Sequence, residues 1–64
     1  MNNFSNLATV IVCVRNGQDT ISQCVESILS NKPFETIIVD GNSTDLTVEI
    51  CQNYNVKIIK DDGI

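Results

Sequence analysis

The sequence predicts an α/β fold, a three-stranded parallel sheet in β-α-β-α-β order. Two short runs rich in β-branched residues, 8–14 (ATVIVCV) and 35–40 (ETIIVD), read as strands. Each is followed by a polar break and then by apolar residues at helical spacing. A third run, 56–60 (VKIIK), completes the order, and strands alternating with helices signal a parallel sheet with right-handed crossovers.

Residues 8–14 do not alternate between apolar and polar, which predicts a strand covered on both faces. RNGQDT interrupts the run. Asn16-Gly17 is a hairpin signal, but the residues after it are helical, so the segment reads as a strand-to-helix loop. Ile21, Cys24, Val25, Ile28 and Leu29 form the i, i+3, i+4, i+7, i+8 stripe of a helix beginning near Asp19, with Asp19 or Thr20 to cap it. Pro33 ends that helix by moving Lys32 out of the helical region. After ETIIVD, the cluster Asn42, Ser43, Thr44 and Asp45 suits a tight turn and a helix cap. Thr47, Ile50, Cys51 and Tyr54 then predict a second helix to about Asn53.

Strand order stays open. In the order 3-2-1 both helices land on one face. The other face is then bare, the first strand is an open edge, and the chain would be part of something larger. In the order 2-1-3 the helices fall on opposite faces and the piece nearly closes by itself.

A chain of 64 residues makes one domain, and one of this size buries only about 60% of the surface its unfolded chain exposes. With 42% hydrophobic and 19% charged residues it has a globular composition. The net charge is −4, and Arg15, Lys32, Lys57 and Lys60 are scattered, which argues against a nucleic-acid face. Cys13, Cys24 and Cys51 show no close spacing and there is no histidine. A zinc site is therefore not expected, and the three read as buried thiols in a reducing compartment. LATVIVCV is too short to span a membrane and MNNFSN has no basic leader. No transmembrane segment is expected, the sequons at Asn3 and Asn42 read as idle, and the expected location is cytoplasmic.

In open parallel sheets, ligands sit outside the carboxyl ends of the strands. Two loops meet that description, CVRNG at 13–17 and VDGNSTD at 39–45. Asp40 can accept a hydrogen bond from a ribose hydroxyl or a base N–H, and Gly41 permits close backbone approach. Equally, Asp40 can bind backbone N–H groups within its own turn. A dinucleotide site would require G-x-G-x-x-G where only Gly17 stands. A P-loop is absent, and a phospho-acceptor receiver would want an acid pair where Arg15 and Asn16 stand.

Taken together, VIVCVRNGQDTISQCVESILSN, IIVDGNSTDLTVEI, VKII and the closing DGI resemble the start of a family 2 glycosyltransferase. The resemblance runs from Thr9 over nearly the whole chain. It implies the N-terminal half of a GT-A, Rossmann-like, nucleotide-sugar-binding domain. Residues 1–64 would then be a partial domain that stops before the family's Asp-x-Asp metal motif. The family's first loop usually reads Pro-x-Tyr-Asn and lines the nucleotide pocket. Here Cys13 stands at the Pro position and Arg15 at the Tyr position, where a guanidinium can stack on a base or meet a phosphate. Arg15 also reads as a solvated surface residue. In the second loop Asp40 is kept, with Gly41 where a second acid often stands. Ser43 and Asp45 fit the family's Ser-Thr-Asp turn and read as structural.

The implied nucleotide-binding set is thus Cys13, Arg15, Asp40 and Gly41, and the implied partner is a nucleotide-diphosphate sugar. A divalent metal, magnesium or manganese, is implied for the full-length enzyme, held by an Asp-x-Asp after a fourth strand, with a general base later still. Asp61-Asp62 follows the third strand without that spacer and resembles the approach to the family's G-I-x-x-A-x-N segment. No metal ligand or catalytic residue is expected within these residues, which alone would be inactive. Self-association is expected through the open edge and the bare face. The alternative is a small stand-alone α/β module that binds a nucleotide or a partner without chemistry.

Overall fold

The structure, a computed structural model, describes residues 8–61. Asn3 and Asp62, named above, lie outside them. The elements run β1 (Thr9–Val14), α1 (Ile21–Ser30), β2 (Glu35–Asp40), α2 (Thr47–Cys51) and β3 (Lys57–Lys60). The strands are parallel in the order β1-β2-β3. Val12 lies beside Ile38 and Ile38 beside Ile58, while Val14 lies beside Asp40 and Asp40 beside Lys60.

This is the first of the two expected orders. Both crossovers step the same way, and a right-handed connection then puts both helices on one face. The core lies between them and the sheet. Ile21 and Val25 of α1, Ile38 at the centre of β2 and Cys51 of α2 are buried, with Val12, Val14, Leu29, Ile50, Tyr54 and Ile58 packed around them. The Tyr54 hydroxyl donates to Glu26 Oε2 at 2.6 Å, joining the end of α2 to the outer side of α1. That bond holds the phenol's proton and raises the Tyr54 pKa.

Among the described residues nothing covers the opposite face, which corrects the expectation that β1 is covered on both sides. Along β1 the exposure alternates: Thr9, Ile11 and Cys13 are exposed, whereas Val10, Val12 and Val14 are half-buried, the last two against the core. Ile11 is 62% exposed and shares its row with Ile37, and Cys13 shares the next row with Val39 and Ile59. Continuous apolarity marks a strand suited to two covers; these residues supply one. The same geometry corrects the cysteine reading, for only Cys51 is buried. Cys13 falls on the uncovered face and Cys24 is exposed beside the buried Ile21 and Val25 of α1. Burial raises the Cys51 thiol pKa, with Asp40 and Cys24 adding smaller effects of the same sign.

Element ends differ in detail. Thr20 takes the N-cap position of α1 without a side-chain cap bond; instead the Gly17 carbonyl accepts from the Thr20 and Ile21 amides at 3.0 and 2.8 Å. At the other end Lys32 leaves the helix through a left-handed φ of 52°, a site glycine usually fills, and its amide donates to the Leu29 carbonyl at 3.0 Å. α2 stops at Cys51 rather than Asn53, because the chain tightens there: Asn53 and Tyr54 donate three residues back, to Ile50 and Cys51. Among the described residues no helix is long and apolar enough to cross a membrane.

Candidate functional site

β1 and β2 both end at one corner, and the ladder continues past them. The Gly41 amide donates to the Val14 carbonyl at 2.8 Å, and the Asp61 amide donates to the Asp40 carbonyl at 2.8 Å. The loops 15–20 and 41–46 therefore leave the sheet side by side. Asn16 and Asn42 make the turns possible, with left-handed φ values of 52° and 63° that Asn adopts more readily than most residues.

The loops are joined reciprocally. From the first loop, the amides of Asn16, Gly17 and Gln18 donate to Ser43 Oγ (2.9 Å), Thr47 Oγ1 (2.8 Å) and Asp45 Oδ2 (3.2 Å). From the second, the amides of Thr44 and Leu46 donate to Asn16 Oδ1 (2.8 Å) and Gln18 Oε1 (3.1 Å). Each loop thus satisfies the other's backbone with its side chains, only the Gly17 bond to Thr47 being partly buried. The consequence is chemical. The three consecutive amides at 16–18, where a dinucleotide fold presents N–H groups to a pyrophosphate, already have partners, so this loop is not such a phosphate cradle.

Asp40 ends β2 on the helix-covered side and is 1% exposed. Ser43 engages both of its oxygens: the Ser43 amide donates to Oδ2 at 3.1 Å and the Ser43 hydroxyl to Oδ1 at 2.5 Å. The carboxylate thus organises its own turn, and a carboxylate of this kind keeps further acceptor positions beyond those two. Asp45 acts in the same manner one turn later. Its Oδ1 accepts from the Thr47 amide at 2.9 Å and from the Thr47 hydroxyl, and its Oδ2 from the Gln18 amide, so both oxygens serve the turn and the neighbouring loop. The Thr47 hydroxyl is the main cause of a lowered Asp45 pKa.

The four expected nucleotide-binding residues are brought to this corner but not to one surface. Gly41 is buried beside Asp40, Arg15 is exposed at the start of the first loop, and Cys13 is exposed on the uncovered face, opposite the side to which Asp40 turns. Gln18 and Thr47 belong to the site and were not singled out as polar partners by the sequence. Their bonds cross about thirty residues, and a Thr at helical spacing looks like a core position. A cleft of about 270 Å³ lined by Phe34, Glu35, Thr36, Asn55, Val56 and Lys57 opens at the amino ends of β2 and β3, away from this corner.

The donor set does not fit a divalent metal. Asp40 and Asp45 are turned onto their own loops, and among the described residues no three of His, Cys, Asp or Glu converge.

Residues 9–63 match the sequence model of glycosyl transferase family 2. A poly(ribitol-phosphate) beta-glucosyltransferase of Bacillus spizizenii is 32% identical over 53 residues, covering 77% of this chain. The chain spans about 8% of that relative's length. No solved structure matches. Strand order, crossovers and the position of the two loops are those of the N-terminal part of a GT-A domain, and on the family match the chain belongs to glycosyl transferase family 2.

Proposed function

We propose that this chain forms the nucleoside-receiving wall of a glycosyltransferase that moves a sugar from a nucleotide-diphosphate sugar to an acceptor hydroxyl. The observation that carries the reading is the pair of loops held together at the carboxyl ends of β1 and β2, where an open α/β sheet receives its ligand. Arg15 is free at the surface to stack on a base or meet a phosphate. The Gly41 amide, bonded to the Val14 carbonyl, lies at the adjoining strand end, and Asp40 offers its remaining acceptor positions to the ribose or base, while Cys13, on the uncovered face, is left out of this wall. Family membership and the glycosyl transfer named for the Bacillus relative support the same direction.

The divalent metal and the general base that such a transfer calls for would come from outside these residues, which alone would bind without catalysing. A reducing, cytoplasmic setting belongs to the same proposal, as does association with a second copy through the uncovered face when the chain is isolated.

The test is calorimetric titration of the intact protein with uridine, guanosine and thymidine diphosphates. One of them binds, and Asp40→Ala weakens it by about 1–3 kcal/mol, the range for a buried hydrogen-bonded group. Arg15→Ala, at an exposed position, weakens it while leaving the melting temperature unchanged. Binding of none of the three, or unchanged affinity in both variants, overturns the reading.

A further inference from the structure

Ser43 stands where the two loops cross. Its hydroxyl donates to the nearly buried Asp40 at 2.5 Å and accepts from the Asn16 amide at 2.9 Å. A hydroxyl that gives its proton to a carboxylate is a better acceptor on its remaining lone pairs, because hydrogen bonds in a chain polarise one another. The Asn16 amide it holds belongs to a residue in the left-handed region, a conformation that persists in a non-glycine residue only when its surroundings hold it there. Arg15 is the residue immediately before Asn16. Asn16 is also held through its side chain, whose Oδ1 accepts from the Thr44 amide at 2.8 Å, while the bonds of Gly17 to Thr47 and of Gln18 to Asp45 and Leu46 secure the side that enters α1.

We propose that Ser43 is a positioning residue of the nucleoside cleft, relaying the Asp40 carboxylate to the Asn16 amide and thereby setting where Arg15 stands against Gly41. The proposal rests on the nucleotide-binding reading of this corner. It also gives Asp40 a second task, in which it acts on the ligand through Ser43 as well as by any contact of its own. Neither the turn chemistry of Ser43 nor its place in the sequence announces this, since the relay spans 27 residues.

The experiment compares the intact wild-type protein with Ser43→Ala and Ser43→Thr. It reads amide hydrogen exchange over residues 14–18 and 36–39, and affinity for uridine, guanosine and thymidine diphosphates. Ser43→Ala should speed exchange at Asn16 by about tenfold or more while residues 36–39 keep their protection. It should weaken the diphosphate that the wild type binds by about fivefold or more, and Ser43→Thr, which keeps the hydroxyl, should restore both. A merely structural serine would change the melting temperature without this pattern. Should Ser43→Ala unfold, Ser43→Cys keeps the size but is a weak acceptor and must show the same two changes. Unchanged exchange at Asn16, or unchanged affinity in a protein that binds the diphosphate, overturns the positioning role alone. A wild type that binds none of the three overturns the nucleotide-binding reading, and the positioning role with it.

Discussion

A Cβ built on Gly17 would lie 2.8 Å from Val14 Cγ2, a distance real Cβ atoms do not show. Gly17 is required for space, since the left-handed backbone of the Asn16-Gly17 pair falls on Asn16. Valine is stiff about its single side-chain torsion and sits at the end of a hydrogen-bonded strand, so it yields little. Gly17→Ala should therefore destabilise by about 1–3 kcal/mol, as overpacking does. Val14→Ala in the same chain should recover part of that loss, and a double-mutant cycle of urea midpoints reads the coupling; strictly additive effects would reject the contact. Asp45 makes a second residue-scale prediction. The fold favours its ionised form, so its pKa lies below the ordinary carboxylate value. A lowered folded pKa contributes stability that is complete above the unfolded pKa, about 3.9, and is lost as pH falls through the folded value. Asp45→Asn should then be less stable than the wild type at pH 6, and the gap should narrow at pH 3. A gap that stays constant in urea unfolding at the two pH values rules this out. The sequence made the corner's turn residues legible one by one; which amide each would serve, some thirty positions away, was not, because pairing across loops is decided only when the sheet brings them together.

Within elements, β2 is the strand on which the rest is built, with Thr36, Ile38 and Asp40 buried on the helix side in strict alternation. Thr36 is the poor fit in that row. It is 4% exposed, and among the described residues its Oγ1 has no hydrogen-bond partner. Burying a hydroxyl without a partner costs roughly 1–3 kcal/mol by protein mutational data. Thr36→Val keeps the branched shape, removes the orphan and should raise stability by about 1 kcal/mol, read as a higher urea midpoint with unchanged slope. A lower midpoint would mean the hydroxyl has a role that packing does not reveal. The elements themselves were plain from periodicity. β1, α1 and β2 form close to where the pattern of apolar residues puts them, while α2 ends early because a five-residue helix is held by its tertiary contacts rather than by propensity.

For the molecule as a whole, two helices on one face leave an apolar surface of Ile11, Cys13, Ile37, Val39 and Ile59 uncovered beside an open β1 edge. β3 carries Lys57 and Lys60, residues of the kind that discourage edge pairing, whereas β1 carries no charge between Thr9 and Val14. The isolated chain should therefore associate as concentration rises. Replacing Ile11 and Ile59 by lysine, at positions 62% and 43% exposed, should shift sedimentation velocity toward the monomer without loss of helical circular dichroism. Association that persists unchanged would place the contact elsewhere.

Fold class, element order and the two loops that meet at the carboxyl end of the sheet were determined by the sequence, because hydrophobic period and turn chemistry are local properties. Strand order, and with it the bare face and the exposed Cys13 and Cys24, was decided by tertiary structure. An apolar strand does not state which of its faces will find a partner. The inward turn of Asp40 onto Ser43, and of Ser43 onto Asn16, was decided there too, since a carboxylate at a strand end suits a ligand and a turn equally until its neighbours are in place.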